Sequence, residues 1–234
     1  MELASAIASD ILGICEDVFS IKIVPPGWIH FELTHSTLAT WLQSLAVGSL
    51  RGKGEQGSRE QGAGGAGKQG GDQGTIDAPY PVPNSLFAVQ YAHARCCSLV
   101  LLAHREGLIK LREPVANSSP AFWSVIAPNP IPWLTSDGVL RLNHPDERRL
   151  IGELVQVVDN IECPDVSGSV KWEKVGLNLS QAFEKFWSNC RIWGEVKITP
   201  PEVAQARLGL LMATQSVLRY VLEGNLGVFA PLEL

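Results

Sequence analysis

Residues 84–95 read Asn-Ser-Leu-Phe-Ala-Val-Gln-Tyr-Ala-His-Ala-Arg, and this stretch decides the fold. Apolar residues continue from it as far as Gly107, which predicts one long helix over residues 84–106. The polar and ionisable side chains that the helix carries in this stretch include Gln90, Tyr91, His93 and Arg95.

Three more helices are predicted further along the chain. Asn143 is placed to cap the first, with Pro145 near its first turn and apolar residues continuing to Val158. The second covers about residues 178–193. The third starts at Thr-Pro-Pro-Glu over residues 199–202, an N-cap followed by a capping-box acid, and runs to Gly224. Four long helices with few strand signals predict an α-helical bundle, with the loop between Pro114 and Trp133 folded over it.

The first 50 residues predict a small α-β-β-α module. Apolar residues at helical spacing give an amphipathic helix to about Cys15. Alternating residues then give two strands, Ser20–Val24 and Trp28–Leu33, joined by a Pro-Pro-Gly turn. A second helix follows, capped by Thr34 or Ser36. Because two strands and two helices form little core, we expect this module to pack on the C-terminal bundle.

A glycine-rich segment separates the two parts. Residues 51–74 contain ten glycines and no apolar residue larger than alanine, and prolines follow as far as residue 83. Such a composition predicts a flexible linker. The segment also matches most of a P-loop pattern, but Gln69 replaces the Ser/Thr that binds Mg²⁺, and no strand precedes it. The predicted organisation is therefore a module at residues 1–48, a linker at 49–83 and a helical domain at 84–234.

Composition limits the classes of partner. The net charge is −5, and residues 85–234 hold fourteen Lys/Arg against fifteen acids, so no cationic cluster favours phosphate binding. Apolar runs are too short to predict a membrane span, and the acidic N-terminus is unlike a secretory signal. The cysteines and histidines have no ligand spacing, so we expect no metal. Five cysteines without a Cys-x-x-Cys pair indicate reduced thiols and a cytoplasmic protein.

Several spaced blocks resemble the anticodon-binding (DALR) domain of arginyl-tRNA synthetases. They are Val-Gln-Tyr-Ala-His-Ala-Arg at 89–95, Ala-Phe to Cys-Arg at 182–191, Glu-Val-Ala-Gln-Ala-Arg-Leu at 202–208, and Leu-Gly-Val-Phe-Ala-Pro at 226–231. Pro-Gly-Trp-Ile-His-Phe at 26–31 is similar to part of the additional N-terminal domain of the same enzymes, which touches the tRNA elbow. The resemblance implies a mainly α fold, with a C-terminal bundle like the anticodon-binding domain of class I synthetases.

The chain departs from these enzymes where their catalytic core would be. Only the glycine-rich segment lies between the two similar parts, and there is no His-x-Gly-His motif, no Lys-Met-Ser-Lys-Ser-like loop and no alternation of parallel strands and helices. The resemblance therefore implies a non-catalytic protein that binds no nucleotide or other cofactor.

The resemblance also implies which residues would contact tRNA. In the family, aromatic and cationic side chains hold the splayed anticodon bases, and stacking on an aromatic ring is a sound way to read single-stranded RNA. On the segments that match, the expected tRNA-binding residues are Trp187, Arg191, Trp193, Phe229, Leu234, Gln90, Tyr91 and Arg95. Core packing is the alternative for the aromatic residues. For His93 packing is favoured, and for Arg207 a structural hydrogen-bonding role.

Three functions stay open at this point. The first is binding of tRNA, in particular tRNA-Arg, by its anticodon stem-loop. The second is a repurposed interaction module, in which the helix at 84–106 faces an unidentified protein partner instead of a catalytic core. The third is a part of arginine–tRNA ligation that acts together with a separate catalytic polypeptide.

Overall fold

The computed structural model describes residues 2–15, 18–48, 50, 84–112, 125–163, 170–193 and 200–234. The predicted linker lies outside these residues, except for Leu50, and so does most of the loop that was expected to fold over the helices. Within the described ranges the elements follow one another as α1 (Glu2–Cys15), β1 (Phe19–Val24), β2 (Trp28–Leu33), α2 (His35–Ala46), α3 (Asn84–Arg105), β3 (Lys110–Leu111), β4 (Val125–Ala127), α4 (Pro145–Glu162), α5 (Trp172–Asn189) and α6 (Pro201–Tyr220). A five-residue π-helical turn, Val221–Asn225, ends α6.

The mainly α fold is confirmed, and α6 is its central element. Helix α6 packs against α2, α3, α4 and α5, and its side chains are buried along most of its length. Helix α5 packs against both α3 and α4. The large side chains that fill the core without solvent exposure include Phe183, Phe186, Leu150, Leu154, Leu208 and Leu211. Four long helices thus form a single bundle, as the apolar periodicity predicts.

Helix α2 also lies in this core. Its buried residues Leu42 and Leu45 belong to the same apolar cluster as the side chains of α3 to α6, and its main contact is with α6. Gln43 fixes the position, because its side-chain oxygen accepts hydrogen bonds from the backbone N–H of Ile131 (3.0 Å) and from the indole N–H of Trp133 (2.9 Å). The expected packing of the N-terminal part on the bundle is therefore observed through α2. The predicted domain boundaries remain predictions.

Helix α1 and the β1–β2 hairpin form a smaller unit. The strands pair antiparallel, with Phe19 opposite Leu33, Ile21 opposite Phe31 and Ile23 opposite Ile29. These six apolar residues share one face, since residues opposite each other in a sheet point the same way. Helix α1 packs chiefly on β1, and the β1 residues of this face are half-buried, whereas Phe31 and Leu33 of β2 are exposed.

Helix α4 begins one residue later than predicted. His144, not Asn143, is its N-cap: His144 Nδ1 accepts from the N–H of Asp146, and Glu147 accepts from the N–H of His144 in a capping box. The side chain of Asn143 is engaged elsewhere, because its amide N–H donates to the Leu140 carbonyl and its Oδ1 accepts from Arg148 at 3.4 Å. Pro145 occupies the first helical position, where its missing N–H costs nothing.

The predicted bounds of the other two helices, α5 and α6, also need correction. Helix α5 covers Trp172–Asn189 rather than 178–193; Val175 extends its apolar face upstream, and the extended backbone of Cys190 stops it. Its N-cap, Lys171, makes no side-chain capping bond, so the sequence carried no start signal there. Helix α6 begins after Pro200, which likewise lacks a side-chain cap, and Thr199 lies outside the described residues.

The apolar length of α3 is consistent with a core helix. By length and composition alone, Ser85–Arg105 is apolar enough to cross a membrane, in contrast to the sequence-based expectation, but half of this span is buried inside the protein. Its buried side packs against α5 and α6. Gly107, with φ of 75°, follows the helix and allows its C-terminal turn.

Candidate nucleic-acid interface

One stripe of α3 faces solvent. Since an α-helix turns by about 100° per residue, residues 87, 91, 95, 98, 102 and 105 fall within an arc of about 80°, and all of them are exposed. The rings of Phe87 and Tyr91 stack along this stripe, with centroids 6.4 Å apart and planes 25° from parallel. We call this set of six residues the α3 stripe. It presents two aromatic rings, two arginines and Leu102 to solvent.

Trp187 of α5 borders the stripe on one side. The guanidinium of Arg95 lies over the Trp187 ring, 5.4 Å from its centroid, in a cation–π contact. Trp193, beyond the end of α5, meets Trp187 edge to face at 5.9 Å. Both tryptophans are half-buried, so part of each ring packs in the protein and part stays accessible. This packing holds the ring of Trp187 against the guanidinium group of Arg95.

The C-terminal tail borders the stripe on the other side. The side-chain amide of Gln90 donates to the carbonyl of Phe229 (2.9 Å), and Gln90 lies about 60° around α3 from Phe87. Ala230 and Pro231 are buried, while the ring of Phe229 is 72% exposed and Leu234 is 65% exposed. The backbone of the tail is therefore fixed on α3, and these two apolar side chains project from it.

His93 provides the second attachment of the tail. Its Nδ1 donates to the carbonyl of Pro231 (2.8 Å), since a carbonyl only accepts, and its Nε2 then accepts from the amide of Gln215 on α6 (2.9 Å). Burial lowers the pKa of His93 below its usual value, which favours this neutral form. The expected packing role of His93 is observed, and the residue ties together α3, α6 and the tail.

Arg191 lies near a buried ion pair. Glu147 of α4 is 1% exposed and accepts from Nε of Arg207 on α6 at 2.6 Å, while Nη1 of Arg207 donates to the carbonyl of Arg191. This network links α4 and α6 to the segment after α5. The structural role expected for Arg207 is observed. Arg191 itself is exposed, with its backbone fixed by Arg207.

The structure brings most of the expected binding residues around one helix. Tyr91 and Arg95 lie on the α3 stripe, and Trp187 borders it through Arg95, with Trp193 packed behind Trp187. Phe229 borders the stripe through Gln90. The amide of Gln90 is engaged with the tail rather than directed at a ligand. No described contact joins Arg191 or Leu234 to the stripe. The tRNA-binding role of each of these residues remains a prediction.

Sequence reasoning missed Phe87 and Leu102. Both are exposed on the α3 stripe, and both follow the spacing of three and four residues from Tyr91, Arg95 and Ser98 that marks one side of a helix. That spacing was visible, but an apolar residue on a helix is ordinarily assigned to the core. Only the packing of α5, α6 and the tail shows which arc of α3 stays uncovered.

In the part of the chain that the structure describes, the cysteine thiols do not form a reactive site, and the side chains that commonly bind metals do not form a metal site. All five cysteines are free, and burial raises the pKa of Cys97 to about 12 and of Cys190 to about 11, so these thiols stay protonated at neutral pH. Among the described residues no group of three His, Cys, Asp or Glu is placed to hold a metal ion. The expected lack of metal and cofactor remains a prediction.

The fold and this surface together define an α-helical bundle that presents aromatic and cationic side chains along one exposed helix. The DALR anticodon binding domain matches residues 89–234, which include most of α3, all of α4 to α6, and the tail. The chain belongs to the DALR anticodon binding domain family.

Relatives of the chain are arginine–tRNA ligases. It is 32% identical over 149 residues to the enzyme of Synechococcus sp. (strain JA-3-3Ab), an alignment that covers 63% of this chain and 22% of that protein. It is 30% identical over 149 residues to the enzyme of Ruminiclostridium cellulolyticum, with the same two shares. The chloroplastic/mitochondrial ligase of Arabidopsis thaliana is 29% identical over 138 residues, 58% of this chain and 17% of that protein. The chain thus matches about a fifth of the length of these relatives.

Proposed function

We propose that this protein binds tRNA through its C-terminal helical body, which takes hold of the anticodon stem-loop. The observation that carries the proposal is the exposed α3 stripe, bordered by Trp187 and Phe229, on a body of the DALR anticodon binding domain family. Unpaired bases stack on exposed aromatic rings, and each such stack contributes about 1–3 kcal/mol. Tyr91 and Phe229 offer two exposed rings, and Gln90, which precedes Tyr91 on α3, is bonded to the backbone of Phe229.

The charges of this surface favour base contacts over phosphate contacts. Arg95 and Arg105 are exposed on it, but the protein as a whole carries a net charge of −5. A protein that neutralises few phosphates shows a shallow dependence of affinity on salt. We therefore expect binding that depends strongly on aromatic residues and weakly on ionic strength, with tRNA-Arg as the preferred partner, by similarity to the arginine–tRNA ligases.

The test is a fluorescence anisotropy titration of the full chain with labelled tRNA-Arg and with its isolated anticodon stem-loop. We expect both to bind, and Tyr91→Ala to weaken both by about 5- to 150-fold, the loss of one stacked base. Phe229→Ala should act in the same direction. The absence of binding to either RNA at low salt, up to about tens of micromolar protein, would contradict the proposal.

Trp28→Ala is the matched control. Trp28 is an aromatic residue of β2, 67% exposed, in the segment that resembles the elbow-contacting domain of the synthetases. Its loss should leave binding of the isolated stem-loop unchanged and weaken only the complete tRNA. Equal losses for Trp28→Ala and Tyr91→Ala on the stem-loop would show that its binding is not specific to the α3 stripe, and no loss with Tyr91→Ala would show that binding does not depend on the stripe.

A protein partner is the second candidate, because the stripe is also apolar. Phe87 is exposed at its first position and Leu102 about one turn before its last, and an exposed apolar strip marks an interaction surface. In this case Leu102→Glu would abolish a stable, RNase-insensitive complex with the partner and leave RNA affinity unchanged. If Leu102→Glu instead lowers RNA affinity as much as Tyr91→Ala does, the stripe serves RNA.

We further propose that these 234 residues do not activate arginine on their own and that the protein acts in the cytoplasm. The class I signature motifs are missing from the sequence, so the chain offers no recognised site for ATP and arginine. ATP–pyrophosphate exchange by the chain alone should be blank. Exchange that appears only when a second polypeptide is added would support the remaining alternative, a part of arginine–tRNA ligation that acts in trans.

A further inference from the structure

Among the described residues, no strand covers the outer edge of β2. Strands β1 and β2 form a two-stranded sheet, and no other described strand pairs with either of them. On β2 the apolar side chains Phe31 and Leu33 are 49% and 38% exposed. A two-stranded hairpin with an open edge is marginal in water, and an unpaired strand edge is a template for another strand.

The direction of the backbone groups shows which residues of β2 would pair. The N–H of Thr34 donates to the carbonyl of Val18 (3.0 Å), so Thr34 directs its backbone groups towards β1. Because this direction alternates along a strand, the even-numbered residues of β2 bond to β1. The odd-numbered residues Ile29, Phe31 and Leu33 direct their N–H and C=O groups outward.

An antiparallel pairing of β2 with β2 of a second copy uses these outward groups. With Phe31 on the twofold axis, Phe31 lies opposite its own counterpart, and Ile29 lies opposite Leu33 of the other copy, twice by symmetry. All three residues belong to the apolar face of the hairpin. The pairing thus converts two open hairpins into one four-stranded sheet with a continuous apolar face.

The charged and ionisable side chains of β2 favour this register over the pairings centred on the residue before or after Phe31. On the opposite face, centring on Phe31 places His30 opposite Glu32 of the second copy, twice, so that an imidazole N–H can donate to a carboxylate. Centring on Glu32 would set two carboxylates against each other, and centring on His30 would set two imidazoles against each other. Glu32 already accepts from Lys22 of its own hairpin at 2.7 Å, which orients its carboxylate on this face.

The outer edge of β1 is less suited to the same pairing. Its apolar residues are half-buried where α1 packs on it. Lys22 is its charged residue, and neither Ser20 nor a second Lys22 offers a carboxylate to complement it. A lysine on an edge strand disfavours pairing.

We propose that the protein forms a twofold-symmetric dimer in which the β2 strands of two copies pair antiparallel about Phe31. The interface is independent of the α3 stripe, so two RNA-binding surfaces would be present in each dimer. The exposed residues Leu3 and Ile7 of α1 would lie on the apolar side of the joined sheet.

The test is sedimentation velocity of the full chain over a range of concentrations. The wild-type protein should sediment with about twice the monomer mass of 25.4 kDa. His30→Glu should reduce the association constant at least about tenfold, since it sets two carboxylates opposite each other at both ends of the interface. The stability of the monomer should not fall, because residue 30 lies directly opposite Lys22 within the hairpin.

A charge exchange and a matched control complete the experiment. Adding Glu32→Lys to His30→Glu should restore the dimer, because each new carboxylate then faces an ammonium group of the other copy. Gln156→Glu, on the exposed side of α4, adds a negative charge elsewhere and should leave the dimer intact. Circular dichroism checks that every variant is folded.

Each result of these experiments either supports the dimer or overturns it. A wild-type protein that remains monomeric at every concentration overturns the proposal. A dimer that His30→Glu leaves intact shows that another surface makes the contact, and this also overturns it. A dimer lost in His30→Glu and regained in the double variant supports both the strand pairing and its register.

Discussion

The helical body and the N-terminal hairpin unit differ in how they bury their apolar residues. In the body, Phe183, Phe186 and the leucines of α4 and α6 have almost no contact with solvent. In the unit of α1, β1 and β2, the residues that are buried among those described are Ala4 and Ala8, while its larger apolar side chains stay partly or largely exposed. The body has a core of its own, and the hairpin unit does not.

This difference shows that sequence order and packing divide the molecule at different places. Helix α2 follows the hairpin directly in the chain, yet its Leu42 and Leu45 are buried with the body. The boundary in the packing therefore falls near Thr34, which caps α2. The hairpin unit is the part with apolar surface left for another molecule.

The largest effect should come from emptying the core of the body. Phe186→Ala removes a ring with no solvent exposure and should lower the free energy of unfolding by about 3–5 kcal/mol. Phe31→Ala is the matched change in the hairpin and should cost about 1 kcal/mol or less in the monomer, because half of that ring is already in water. Urea unfolding followed by circular dichroism measures both. Equal losses would show that the hairpin shares the core.

Breaking the attachment of α2 should have the next largest effect. Gln43→Leu leaves the N–H groups of Ile131 and Trp133 without their acceptor, at about 1–3 kcal/mol for each buried donor. The same urea titration measures the loss. Thr40→Val, one turn earlier on α2, removes a hydroxyl that bonds only within the helix and is the control. A Gln43→Leu protein as stable as the control would mean that α2 does not depend on this contact.

A pair of glycine substitutions should give effects of opposite sign. A methyl group on Gly209 of α6 would lie 2.6 Å from the Trp133 ring, so Gly209→Ala should destabilise the body by about 1–3 kcal/mol. Gly152 of α4 has open space around it, and Gly152→Ala should stabilise by up to about 1 kcal/mol through helix propensity. Thermal unfolding of the two variants compares them. A stabilising Gly209→Ala would contradict the close packing of α6 on the 131–133 segment.

The smallest effect should be the pH dependence that His93 contributes. Burial lowers its pKa in the folded state, so the unfolded chain takes up the proton more readily and stability falls as the pH drops below about 6.5. Above that pH the contribution is constant. His93→Asn keeps a donor for Pro231 and should flatten the slope of stability between about pH 6.5 and 5. An unchanged slope would show that His93 titrates alike in both states.

The sequence predicted the helices of the body because their apolar residues repeat with the helical period over many turns. It placed the end of α3 at Gly107 and the two strands at almost their observed positions, because these features also depend on residues that are close together in the sequence. It could not place the start of α5, since Lys171 offers no capping side chain. It assigned the cap of α4 to Asn143 because the competing bond from Asn143 to Leu140 appears only in three dimensions.

The candidate site was harder to predict, because its contacts join residues far apart in sequence. Resemblance to a family indicated Trp187 and Phe229 separately, and nothing local shows that Arg95 lies over Trp187 or that Gln90 holds the backbone of Phe229. Those contacts follow from the packing of α5 and the tail on α3. Burial of the remaining sides of α3 then leaves Phe87 and Leu102 exposed.

Because α2 is buried in the body, the two parts of the protein do not need an unbroken chain to stay together. Helix α2 is held in the body by the burial of Leu42 and Leu45 and by the bonds of Gln43 to Ile131 and Trp133. A covalent connection between two parts that bind each other raises the effective concentration of one part near the other. A single cleavage between residues 51 and 83 should leave two fragments that stay together, and the protein should therefore work as a split pair produced from two separate coding sequences.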